Sequence, residues 1–108
     1  MVELPVPVPG VITQEPNPGH DAYDFACRVG TPVIAVHDGV IKVWRDGFLG
    51  LQIRLTGPDG VQSLYAHLDS VEAHGSVEEG EVIGTCGNTG AWSTGPHLHF
   101  EHNRPYFF

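Results

Sequence analysis

Nowhere does this chain sustain an apolar helical period. Its Val, Ile and Leu residues come in short runs, each cut off by glycine, proline or an Asp-Gly pair. With 14 Gly and 9 Pro in 108 residues, that pattern specifies an all-β fold with tight turns. Strands are expected at residues 23–27, 33–36, 40–44, 51–55, 61–67 and 82–86 and around His97, with a short one near Ser70–Glu72. Leu51-Gln52-Ile53-Arg54-Leu55 alternates apolar and polar, as a half-buried strand does. Asp38-Gly39 and Gly57-Pro58-Asp59-Gly60 read as hairpin turns. Residues 1–18 carry Pro5, Pro7, Pro9, Pro16 and Pro18, which suits an extended segment at a sheet edge. The chain thus divides into a Pro-rich N-terminal segment, 1–18, and one domain, 19–108. No long repeat is present, but Gly30–Gly39 and Gly80–Gly90 echo each other as glycine-flanked apolar strands.

A formal charge of −8 argues against nucleic acid and anionic membrane surfaces as partners, and it sits badly with tight binding to acidic wall polymers. No run of about 18 apolar residues exists, so no membrane span is expected. No basic stretch followed by an apolar one opens the chain, so a secretory signal is not expected either. A monomer is expected. Cys27 and Cys86 can form one disulfide, but two small buried core residues is the commoner reading. Seven His against five Lys plus Arg make metal chemistry worth weighing.

Two clusters carry that chemistry. In Ser93-Thr94-Gly95-Pro96-His97-Leu98-His99-Phe100-Glu101, strand alternation points His97 and His99 the same way, with Cα atoms about 7 Å apart. One imidazole can bind a metal while the other faces a substrate. Far upstream, His20-Asp21-Ala22-Tyr23-Asp24 offers a second His and a carboxylate. A catalytic zinc takes three protein ligands. The candidates are His20, Asp24 and one of His97 or His99, and the chain must bend at Pro18-Gly19 for the first two to meet. A structural zinc would favour cysteine and a closed fourth position. Glu101 shares strand parity with both histidines, so it either orients a ligand imidazole or is simply structural. Tyr65 is core or, by sharing a face with His67, lines the groove; Trp92 walls it. Trp44 and Phe48 read as core or hairpin cover, and His37, His74 and His102 as exposed surface histidines.

These motifs, with Gly30-Thr31-Pro32-Val33, Tyr65-Ala66-His67-Leu68, Gly80-Glu81-Val82-Ile83-Gly84 and Gly87-Asn88-Thr89-Gly90, resemble the LytM/lysostaphin-type zinc metallopeptidases over residues 19–102. The resemblance implies a small, mostly antiparallel sheet domain of the duplicated hybrid motif type, with a substrate groove. It implies a zinc endopeptidase (Zn2+ as cofactor) that hydrolyses peptide cross-links of bacterial peptidoglycan through a metal-activated water. Position by position, it makes His20, Asp24 and His99 the zinc ligands and His67 and His97 the catalytic histidines. It implies action at the cell wall, periplasmic or extracellular; without an export signal, a phage-encoded lysin or an excised domain fits. One departure is Ala22, where the family usually has glycine, and Ala disfavours a left-handed backbone.

Two rivals weigh against this reading. A non-catalytic LytM-like domain regulating a cell-wall hydrolase would have lost ligands, and all five central residues are present here. A biotinyl- or lipoyl-carrier-like module needs a lysine at a hairpin tip, whereas Lys42 sits inside an expected strand.

Overall fold

The computed structural model describes residues 1–19 and 22–108, and among them the secondary structure is strand apart from one 3₁₀ turn, Pro58–Gly60. The twelve strands are β1 Val2–Glu3, β2 Val11–Gln14, β3 Tyr23–Ala26, β4 Pro32–Ile34, β5 Gly39–Asp46, β6 Gly50–Thr56, β7 Gln62–Leu68, β8 Ser70–Val71, β9 Ser76–Val77, β10 Val82–Thr85, β11 His97–His102 and β12 Tyr106–Phe107. Seven form one sheet in the order β2-β3-β11-β7-β6-β5-β9. Strands β4-β10-β8 form a second sheet, and β1 pairs in parallel with β12. No helix among the described residues is long and apolar enough to cross a membrane.

Alternation along β11 divides the molecule's two tasks. Leu98 and Phe100 point into the core and are fully buried, while His97, His99 and Glu101 take the opposite face. Phe25, Tyr65, Ile53 and Leu55 from neighbouring strands, with Val33 and Ile83 of the second sheet, complete that core. Each such side chain contributes about 1.5–3 kcal/mol of burial. Gly84 lets β10 lie close against β8 of its own sheet: a Cβ there would meet the Ser70 carbonyl oxygen at 2.8 Å.

Two expectations about the fold need correction. Asp38-Gly39 is not a hairpin turn, because β4 pairs with β10 while β5 pairs with β6 and β9, so the link crosses between sheets. The two glycine-flanked echoes instead meet each other, as β4 against β10. The Pro-rich segment supplies β1 and the edge strand β2, and its Leu4 and Val8 are buried in the common core.

The second correction concerns the cysteines. Cys27 and Cys86 are joined in a disulfide that ties the end of β3 to the end of β10, 59 residues apart in sequence. Closing a loop of 59 residues restricts the unfolded chain by about 4 kcal/mol in the chain-entropy picture. Replacing both cysteines with alanine is therefore expected to lower the unfolding free energy by about 2–4 kcal/mol in urea titrations. An unchanged midpoint would mean that the link does not form.

Candidate active site

The register of β11 assembles the site. His99 lies directly opposite Asp24 of β3 on one side and Ala66 of β7, next to His67, on the other. Residues distant in sequence thus share one groove of about 510 Å³, with Asp24, His67, Trp92, His97 and His99 among its walls. His20, expected to join them, lies outside the described residues, as does Asp21. Ala22 is buried, and the only non-glycine residues with positive φ among those described are Asp59 and His67, so the Ala22 departure demands no left-handed backbone.

Hydrogen bonds set the tautomers, because carbonyls and carboxylates only accept. His99 Nε2 donates to Glu101 Oε2 at 2.7 Å, which leaves Nδ1 as the lone-pair nitrogen. That Nδ1 sits 3.3 Å from Asp24 Oδ1. Two lone pairs at that distance repel unless a metal ion or a proton on Nδ1 lies between them, and imidazole plus carboxylate is a donor set that suits zinc. The described residues thus supply two donors of the kind zinc takes, no group of three or more being found among them, and Glu101 is the carboxylate that orients the imidazole.

The other two histidines take the opposite tautomer. His67 Nδ1 donates to the Thr89 carbonyl at 2.6 Å, and His97 Nδ1 donates to the Gly95 carbonyl at 2.8 Å. Each ring then presents Nε2 as its basic nitrogen; His97 Nε2 is 4.0 Å from Asp24 Oδ1. The two rings lie 4.8 Å apart, centre to centre. Burial pushes the His67 imidazole below its ordinary pKa, helped by the neighbouring His97 and His99 and opposed by the Thr89 carbonyl and Asp24. The ring is thus held neutral near pH 7, as a proton acceptor must be.

His67 itself reaches the groove through an irregularity. The β6–β7 register slips between Leu51 and Ile53, and His67 has φ of 61°. That left-handed conformation costs about 1–3 kcal/mol for a non-glycine residue. It also breaks the alternation that would put Tyr65 on the same face. Tyr65 is fully buried, and its hydroxyl accepts the Val36 N–H at 3.0 Å. The expectation that Tyr65 lines the groove is therefore corrected: it is a core residue.

Trp92 is exposed on the groove wall and stacks on Phe48, ring centres 4.8 Å apart. Phe48, read as core or hairpin cover, is in fact 55% exposed. It sits in the turn between the paired strands β5 and β6, where burial is scarce. Lys42 lies mid-strand opposite Arg54, which does not suit a carrier lysine. Thr89 was legible only as part of a glycine-flanked loop, and nothing in its neighbours signals a bond to His67.

His37 and His102 are half-buried rather than exposed. The Asp38 carbonyl accepts from His37 Nδ1 at 2.8 Å, so His37 Nε2 accepts the Ser63 hydroxyl at 2.9 Å. Ser63 Oγ in turn accepts from His102 Nδ1 at 2.7 Å. His102 Nε2 is buried with no hydrogen-bond partner among the described residues. Burial, then the charges of His37 and Arg104, lower the His102 pKa from 6.5 to about 4. Between those values the unfolded chain binds the extra proton and the folded one does not, so stability falls as pH drops through that window. The loss is expected to be on the order of 2 kcal/mol, allowing for partial solvent screening. Urea unfolding of the metal-free protein at about pH 7 and pH 4.5 measures it. An H102Q variant with the same difference would show that another group is responsible.

Comparison with known proteins agrees with this geometry. Residues 18–105 match the model of peptidase family M23. The DD-carboxypeptidase/endopeptidase Mpg of Neisseria meningitidis is 49% identical over 84 residues, covering 76% of this chain and 19% of that protein. This chain therefore spans about a fifth of that relative's length. The catalytic domain of lysostaphin from Staphylococcus simulans superposes with a TM-score of 0.72 at 35% identity, over 92% of this chain and 77% of that one. A zinc-containing peptidase from Vibrio cholerae gives a TM-score of 0.72 at 35% identity, over 77% of this chain and 26% of that one. A nearly all-β fold, a His- and Asp-lined groove and a family match over most of its length establish that this chain belongs to peptidase family M23, in its lysostaphin-like branch.

Proposed function

We propose that this chain is a zinc-dependent endopeptidase that hydrolyses peptide cross-links of bacterial peptidoglycan. One observation carries the reading. His99 Nδ1 and Asp24 Oδ1 converge at 3.3 Å, beside two histidines locked in the opposite tautomer. His20, Asp24 and His99 would hold the metal, and His67 and His97 would handle protons. The relatives' names support peptidase chemistry on wall peptides, and the zinc-containing structural neighbour supports the metal.

Zinc, when bound, would polarise a carbonyl and lower the pKa of its water to about 7. The remaining work falls to the chain. Glu101 holds the His99 ring so that Nδ1 faces Asp24. Nε2 of His67 or His97 accepts the proton of the attacking water and later returns it to the leaving amine. Once protonated, the same nitrogen donates a hydrogen bond that steadies the developing oxyanion. Trp92 walls the groove and shields one side of a bound peptide from water.

Digestion of purified sacculi by the zinc-loaded protein, with mass spectrometry of the released fragments, tests the function. The expected products are muropeptides with new amine and carboxyl ends at a cross-link, absent when a chelator is present. Cleavage of glycan strands, or no release at all, would overturn the proposal.

A further inference from the structure

The geometry points to Thr89 as a positioning residue: its main chain sets the tautomer of His67, and its hydroxyl fixes that main chain in place. This inference rests on the proton-handling role proposed for His67.

Two independent sets of contacts support it. The first is the bond from His67 Nδ1 to the Thr89 carbonyl, 2.6 Å, which obliges Nε2 to be the free basic nitrogen. No other hydrogen bond to the His67 ring is found among the described residues. The ring's tautomer and direction therefore depend on where one carbonyl oxygen stands.

The second set explains why that oxygen stands still. Leu51 of β6 and Leu68 of β7 are antiparallel partners. The Thr89 hydroxyl is inserted between them, accepting the Leu51 N–H at 3.1 Å and donating to the Leu68 carbonyl at 2.8 Å. It thus satisfies one backbone group on each strand at the point where the bulge opens the ladder. Glycines complete the fit. Gly50 and Gly90 both have positive φ, and a Cβ on Gly50 would collide with Thr89 itself. On the far side, the His67 N–H is held by the Leu49 carbonyl at 2.9 Å. His67, in a sparsely populated backbone conformation, is over-determined by these bonds, which is how a strained residue persists at a working site.

A serine would keep the hydroxyl, whereas a valine would keep the shape and lose both hydrogen bonds. Thr89→Val and Thr89→Ser separate the two contributions. In the metal-free protein at a pH where the ring is neutral, 15N spectra of the His67 ring should show distinct Nδ1–H and bare Nε2 signals. In Thr89→Val these should move toward an average of the two tautomers, and in Thr89→Ser they should return. In the zinc-loaded protein, Thr89→Val is expected to lower kcat about 10- to 100-fold with KM and zinc content nearly unchanged, and Thr89→Ser to recover most of it.

Thr89→Val that kept the wild-type tautomer, or Thr89→Ser that failed to restore it, would overturn the proposal. A parallel loss of zinc and of kcat would also overturn it, because it would mean general loosening of the site. The spectra answer even if the chain proves not to be a peptidase, so the two ideas fail separately. Should Thr89→Val not fold, Thr89→Ser and Thr89→Ala compared by the same spectra decide: the proposal requires serine to keep the tautomer and alanine to lose it.

Discussion

Replacing Asp24 with alanine is expected to yield a folded protein that no longer retains zinc and whose wall-lytic activity falls to background. In the proposed centre Asp24 would contribute the anionic oxygen, with the neutral imidazoles of His20 and His99 as the other donors. Without it, a divalent cation loses both a bond and its only carboxylate partner within the proposed ligand set. The fold should survive, because Asp24 is only half-buried and its strand is anchored by Phe25. His20→Ala should behave alike. Glu101→Gln is the graded comparison: weakening the partner of His99 Nε2 should reduce metal affinity about 10- to 100-fold without abolishing binding. Metal analysis after dialysis, alongside circular dichroism, reads all three. Zinc retained at wild-type stoichiometry by Asp24→Ala would remove the basis of the proposed centre. Acid should act in the same direction, because protons compete with the metal for the imidazole donors.

The second large effect separates proton handling from metal holding. His67→Ala and His97→Ala are each expected to keep zinc and lose about 100- to 10,000-fold in kcat, the span typical of a positioned general acid or base. Their Nδ1 atoms are already committed to main-chain carbonyls, so in the proposed mechanism their Nε2 atoms would carry the protons. Because the two rings lie 4.8 Å apart and share one groove, the double variant should lose less than the product of the single effects. Steady-state kinetics with paired metal analysis distinguishes the roles. A His97→Ala protein that lost its metal would move His97 into the ligand set.

Much of the site was legible along the chain because it is written in local pattern. Strand parity put His97, His99 and Glu101 on one face, and the same parity put Leu98 and Phe100 in the core. Trp92 could be placed on the groove because it sits a few residues before that strand. Tyr65 was misplaced for the same reason that parity worked elsewhere: the rule assumes a regular strand, and β7 is irregular at His67. His37 and His102 looked like surface residues because composition alone cannot place them on either side of Ser63.

The sequence by itself determined the class of structure and the kinds of donor available, since alternation, turn residues and side-chain chemistry are properties of neighbours in the chain. Only the tertiary structure decided which nitrogen of His67 carries the proton, whether the two cysteines meet, and which segment holds His67 in place. Those outcomes depend on strand register, on a bulge and on carbonyl positions more than twenty residues away. A one-residue slip in pairing would exchange every side chain between the faces of a strand, and no local pattern fixes the bulge that aims His67.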